Sequence, residues 1–333
     1  MLHESATAAP QEQEQVATPP QRARRKLPEV AALCVILVAM CAVFAVMSPY
    51  FLAVGNFISV LEATAVIGIV AIPGTMLLIA GQFDLSVGSA TAFCGVVMAS
   101  LISGHGAWVA VIAAIAAGLL IGLVNGTLVT AVGVNSLITT LGTLAVLRGL
   151  AQILADGQTV SVSNFEFLGA ARPLLNIPVP VILFLLLILV AGLGMRYTVF
   201  GRSLYAVGAN PLAARLTGVR SRRVLMLAFV ASGLATALSG LVVTSQLGAA
   251  SPTAGLGLEL SVVTAIVLGG ASLHGGRGTI LGTFVGLMII AVLNNGLVLL
   301  GISSFYQDIA RGGLLILAVS FDQLRQHLQL SRH

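Results

Sequence analysis

The chain alternates between long apolar runs and short breaks rich in glycine, proline and polar residues. A helix needs about 20 consecutive apolar residues to cross the hydrocarbon of a bilayer. Runs of that kind predict spans near residues 30–48, 57–80, 86–103, 108–132, 136–155, 178–196, 224–246, 259–271, 279–300 and 305–321. The eighth is short for a span and reads as a broken helix. Two breaks carry polar residues to membrane depth: Gly81-Gln82-Phe83-Asp84-Leu85-Ser86-Val87-Gly88, and Ser251-Pro252-Thr253-Ala254-Gly255-Leu256-Gly257 ahead of Glu259. Irregular backbone is tolerated there only when it is buried in protein or lines a wet cavity. Their paired placement suggests an inverted repeat of spans 2–5 against spans 7–10.

Composition supports the same class. Of 333 residues, 58% are hydrophobic and 8% are charged, where a soluble domain has about 25% charged. The expected fold is therefore an all-α polytopic membrane protein. The net charge of +5 does not point to nucleic acid, because the basic residues gather in the N-terminal tail and one loop. That is the positive-inside pattern, which places both termini and the 197–223 loop in the cytoplasm. Residues 1–26 form a polar tail too poor in apolar residues to build a core. It ends in Arg22, Arg24, Arg25 and Lys26 before a first span with no cleavage signal. A transmembrane domain over 27–323 and a C-terminal tail over 324–333 complete the expected organisation.

The 37 glycines divide by position. Gly118, Gly122 and Gly126, and likewise Gly278, Gly282 and Gly286, recur every fourth residue, which lets helices approach closely in lipid. Cys34, Cys41 and Cys94 sit in apolar runs with no metal-ligand spacing and read as small buried hydrophobes.

The loop GRSLYAVGANPLAARLTGVRSRR, residues 201–223, is the one sizeable basic segment between spans. Asn210-Pro211 reads as a helix start, with Asn as the cap and Pro at the first helical position. Ala213, Ala214, Arg215 and Leu216 would continue it, and Gly218 would stop it. A short helix on such a loop suits a protein partner; a loop that only fixes topology is the other reading.

Polar residues in or beside the spans are candidates for a translocation pathway, since each must face protein or water. Asp84, near Ser86, is expected to cap the third span. Arg148, deep in span five, needs a carboxylate or several carbonyls, and Asp156 lies two turns further along. Asn125, Asn135, Gln246, Asn294 and Asn295 offer both donors and acceptors, which suits a neutral hydroxyl-rich ligand and equally suits interhelical bonding. No catalytic residues or metal ligands are expected: the histidines form no ligand pair, and no phosphate-cradling loop of the form GxxxxGK[ST] is present.

The runs AGQFDLSVGS, TTLGTLAVLRGLA, DGQTVS, GRSLYAVGANPLAARLTGV and SPTAGLGLELSVVTAIVLGGASLHGGRGTILGTFVGLMIIAVLNNGLVLLG resemble the permeases of ribose-type sugar ABC importers, within the branched-chain amino acid/ribose permease superfamily. The resemblance runs from about Met47 to Asp322. It departs at Gln82-Phe83, where the family more often has Gly-Ile, while keeping Asp84 and Gly88. The resemblance implies a multi-pass protein of the bacterial inner membrane, paired with a second permease copy or paralogue. It also implies a separate ATPase that binds ATP and Mg, and a periplasmic or lipid-anchored sugar-binding protein. On that pattern Gly201, Arg202, Asn210, Ala213, Ala214, Arg215 and Gly218 belong to the ATPase-coupling loop. The alternative from the residues alone is an ion-coupled secondary transporter of a small polar solute, with Glu62, Asp84, Glu259 and Asp308 as its only carboxylate candidates. A channel would need a repeated filter of charges or carbonyls, and none is evident.

Overall fold

The computed structural model describes residues 29–320 apart from 175, 304, 311, 315 and 318. The boundaries expected at 26/27 and 323/324, with both tails, lie outside the described residues. The protein is a bundle of α-helices. In chain order these are α1 (Glu29–Met47), α2 (Val54–Ile79), α3 (Val87–Thr127), α4 (Ser136–Leu154), α5 (Phe167–Ala170), α6 (Val179–Tyr197), α7 (Val199–Ala209), α8 (Pro211–Leu216), α9 (Ser221–Leu247), α10 (Leu258–Leu268) and α11 (Ile280–Leu299). The strands β1 (Val160–Ser161) and β2 (Ala249–Ala250) pair antiparallel in one short ladder.

Among the described residues, seven helices are long and apolar enough to cross a membrane. The longest of them, α3, holds two of the predicted spans. Gly106 interrupts it with φ 80° and ψ 165°, values that place a turn between a first and a second arm. Trp108 stands 81% exposed beside that turn, where an amphipathic ring is suited to a membrane interface. A π-helical turn over Leu128–Val132 extends the second arm and ends at Gly133, φ +87°. The short eighth run is α10, whose 11 residues reach roughly 16 Å at 1.5 Å per residue, about half of a bilayer's hydrocarbon. The tenth expected span is helical over 305–310 and at further described positions to 320.

Glycine sets the packing. A Cβ at Gly118 would overlap the Gly233 carbonyl, one at Gly122 the Phe229 carbonyl, and one at Gly126 the Met226 sulfur. The stripe on α3 is thus the seam against α9. The second stripe behaves likewise on α11, where Gly282 meets Gly269 and Gly286 meets the Ala265 carbonyl. Phe184 of α6 lies over Gly68 of α2, and both Phe184 and Phe229 are fully buried. Rows of exposed apolar residues, such as Ile138, Val146 and Ile153 on α4, face outward. That is the inverse of a soluble surface and the expected face for lipid.

Candidate translocation site and docking loop

The two polar breaks approach each other inside the bundle. After Ile79 the chain leaves the helix, turns at Gly81 (φ +73°) and re-enters one at Val87. After Leu247 it leaves again and turns at Gly255 (φ +69°) and Gly257 (φ +77°) before α10 begins. The order of long helix, glycine-hinged break and new helix therefore occurs twice, in α2–α3 and in α9–α10. Gly88 faces Gly255 so closely that a Cβ on Gly88 would overlap the Gly255 carbonyl and the Glu259 carboxylate. Side chains there would wedge the breaks apart.

Depth follows from the partners. Asp84 bonds Ser232, which lies eleven residues past Ser221 in the 27-residue α9, roughly 16 Å along it. The first break therefore reaches the middle of the bundle. Both carboxylate oxygens of Asp84 are used. Oδ1 accepts from the Ser86 backbone N–H at 3.1 Å and the Ser86 hydroxyl at 2.6 Å, and Oδ2 accepts from the Ser232 hydroxyl at 2.7 Å. The chain continues outward. Asn125 Nδ2 donates to Ser86 Oγ at 3.1 Å, and the Thr143 hydroxyl donates to Asn125 Oδ1 at 2.7 Å. One polar network thus ties the break to α9, to the second arm of α3 and to α4. Ser136 adds a further tie, accepting from the Phe83 N–H at 3.2 Å.

Asp84 thus meets the start of α3 through the Ser86 N–H, as a cap would, and its other oxygen reaches α9; Ser86 itself makes no side-chain cap bond. Arg148 finds carbonyls rather than Asp156. Its Nη1 donates to Pro252 O at 2.7 Å and Ala254 O at 2.9 Å, so α4 holds the second break by its carbonyl oxygens. Asp156 lies beyond the end of α4, in the left-handed region at φ 48°. Near Arg148, Glu259 keeps Oε2 buried with no hydrogen-bond partner among the described residues.

The other candidates lie apart from this network. Asn135 caps α4, accepting from Leu137 N at 2.9 Å. Gln246 lies at the end of α9, where Gly169 packs on its backbone. Asn295 exchanges two amide hydrogen bonds with Asn56, at 3.0 and 2.8 Å. Asn294, with its Oδ1 buried and unpartnered, lines a cavity of about 300 Å³ between α2, α10 and α11 with Ser59, Thr64 and Ser261.

The basic loop contains two helices. Asn210 accepts from Ala213 N at 3.0 Å, Pro211 opens α8, and Gly218 turns left-handed at φ +85° with open space around it. Ala214 is buried, while Leu212 and Leu216 stand exposed. The preceding helix, α7, was not legible as a run of apolar residues. Thr198 caps it by accepting from Gly201 N at 3.2 Å. Gly201 lies against the Met195 backbone, and Arg202 sits on the same helix.

Helix α7 is locked to the bundle. Gly208 packs against the Ile79 carbonyl at the end of α2, and that carbonyl accepts from Gly276 N at 2.7 Å. Tyr205 donates its hydroxyl to Gly278 O at 2.8 Å. Burial pushes the Tyr205 hydroxyl above its ordinary pKa, so it stays a donor. The loop therefore grips the end of α2 and the α10–α11 linker at one point.

Among the described residues no group of three or more His, Cys, Asp or Glu could hold a metal ion. What the site offers is a hydrogen-bonded joint at mid-depth and a mechanically anchored loop at one end. Multiple candidate spans, helices that restart within the bundle and buried polar joints describe a multi-pass membrane protein. A family model described as "Branched-chain amino acid transport system / permease component" matches residues 56–319, and the chain belongs to that family. It is 38% identical over 297 residues to the ribose import permease protein of Escherichia coli strain K12, covering 87% of this chain and 92% of that protein. It is 38% identical over 314 residues to the L-arabinose ABC transporter permease protein of Azospirillum brasilense, covering 92% of each. It is 34% identical over 293 residues to the D-allose transport system permease protein of Escherichia coli strain K12, covering 87% of this chain and 90% of that one. No solved structure matches the chain significantly.

Proposed function

We propose that the chain is the membrane-spanning permease subunit of an ATP-driven ABC importer that moves a monosaccharide, a ribose-like pentose or a relative, into the cytoplasm. The observation that carries this reading is near-full-length similarity to permeases named for ribose, L-arabinose and D-allose. It operates in the bacterial inner membrane as a multi-pass protein, next to a second permease copy or paralogue. A sugar-binding protein delivers the substrate from outside, and a separate ATPase binds ATP and Mg. The chain itself is not an enzyme.

In this reading α8 is the contact with the ATPase. Its exposed Leu212 and Leu216 and its basic Arg215 suit a groove with an apolar floor and an acidic rim. A push on α8 enters α7 and reaches α2 and the α10–α11 linker through Gly208 and Tyr205. Asp84, Ser86, Asn125 and Arg148 would line or brace the pathway at mid-depth. The test uses two loop variants. Gly218→Val strains a left-handed turn without a clash, and Arg215→Glu reverses one contact charge. Both should insert normally yet lose sugar uptake and sugar-stimulated ATPase activity in the assembled complex. Wild-type transport by both would leave the loop as a topology signal.

One observation favours a second reading, an ion-coupled transporter of a small polar solute. The unpartnered Oε2 of Glu259 is the kind of intramembrane carboxylate that couples protons. Dependence of uptake on ATP or on the proton gradient separates the two.

A further inference from the structure

On the loop side of the bundle, α6, α7 and the start of α11 enclose a second cavity of about 480 Å³. Its two ends differ chemically. At the level of the loop stand Arg196 and Arg202. Neither guanidinium has a hydrogen bond or ion pair to another described residue; that of Arg196 only leans over the Tyr197 ring, 5.2 Å from its centroid. Further into the bundle the wall is apolar, with Ile188 and Gly192 on α6 facing Leu281 on α11. At Gly192 the wall stands open, since a Cβ there would meet nothing within 4 Å.

Two unpaired guanidiniums at the mouth of an apolar groove, at the end of a membrane span, match one ligand in both parts. A phosphate diester accepts from guanidinium groups in a planar, directional way. An acyl chain fills an apolar groove at membrane depth. A sugar would leave the apolar wall unused, and a free nucleotide would have to bury its ribose and base in lipid. Exposed Tyr197 and Val199 beside Arg196 place the mouth at the interface, where headgroups lie.

We propose that this cavity is a binding site for an anionic phospholipid, with its phosphate held between Arg196 and Arg202 and one acyl chain laid over Gly192 between Ile188 and Leu281. The site lies directly against α7, the helix that locks the loop to α2 and to the α10–α11 linker. A lipid there props α7 from the membrane side and ties its position to the membrane's charge. The inference does not depend on which solute is carried. It also gives Arg202 a membrane-facing role distinct from contact with an ATPase.

The test compares lipid retention by the purified full-length protein. After solubilisation from membranes holding phosphatidylglycerol and phosphatidylcholine, native mass spectrometry should find phosphatidylglycerol retained. Its addition should raise the melting temperature, and phosphatidylcholine should not. Each basic residue beside an anionic lipid contributes a factor of roughly five, so Arg196→Gln with Arg202→Gln should weaken retention about 20–30-fold. Gly192→Leu fills that opening without changing charge and should also abolish retention, which diffuse attraction to basic residues would not predict. Equal melting of all forms in detergent micelles containing phosphatidylcholine shows that the variants are folded; should the double variant melt early, Gly192→Leu alone decides. Retention unchanged in Gly192→Leu overturns the proposal. So does displacement of the lipid by millimolar inorganic phosphate, since the site would then read phosphate alone.

Discussion

The two breaks at mid-depth are both hinged on left-handed glycines and differ in how they are held. In the first, every oxygen of the Asp84 carboxylate is used, and the donors come from its own neighbour Ser86 and from α9. In the second, the carbonyl oxygens of Pro252 and Ala254 depend on one cation reaching across from α4. The carboxylate beside them, Glu259, keeps one oxygen unmatched. Unpaired polar groups at this depth cost free energy that a bound ligand or a shifted helix can recover. The first break is a closed joint; the second keeps an unmatched oxygen. Their contact at Gly88 and Gly255 means that movement of the second is felt by the first.

The largest expected effect tests the closed joint. Asp84→Leu strands three donors at mid-depth and should destabilise the detergent-solubilised protein by about 1–3 kcal/mol for each donor left unsatisfied. Thermal unfolding and membrane yield would both fall. Arg148→Leu frees two carbonyls of the second break and should cost about 1.5–3 kcal/mol, the scale of hydrogen bonds to a charged group. A loss as large as that of Asp84→Leu would erase the distinction drawn between the breaks. In native-state hydrogen exchange, amides of 251–257 should exchange faster than those of 82–86, because local opening follows sparse internal bonding. The smallest effect is Glu259→Gln. The neutral amide has less desolvation to lose, so stability should change by less than about 1 kcal/mol, in either direction. A severe loss there would mean that the Glu259 carboxylate is matched after all.

Much of this was legible in the sequence where the governing interaction is local. The Asn210 cap, Pro211 at the first helical position and the left-handed Gly218 are set by residues within one turn of each other, and the structure has them so. The glycine stripes of α3 and α11 are legible because a period of four is itself the packing rule. Helix α7 escaped notice because it is short and carries Arg202 and Gly201 among apolar residues, so a search for long apolar runs passes over it. Ser232 and Thr143 escaped for a different reason. A hydroxyl inside a span commonly bonds its own helix, as Thr143 also does to Thr139 O at 3.0 Å. Nothing local distinguishes one that reaches across the bundle. The partner of Arg148 lies 104 residues away, and no helical periodicity points to it; Asp156, nearby in sequence, was the wrong neighbour to expect.

The central claim is that this chain moves a sugar when a separate ATPase hydrolyses ATP. Its most direct test is uptake of labelled D-ribose, L-arabinose and D-allose into proteoliposomes holding the chain with its ATPase, supplied with the loaded binding protein. The account predicts that at least one of these sugars accumulates only when ATP is enclosed with the ATPase, and that a protonophore leaves the rate unchanged. Uptake that persists without ATP and collapses with the protonophore would contradict it and move the function to ion coupling through Glu259.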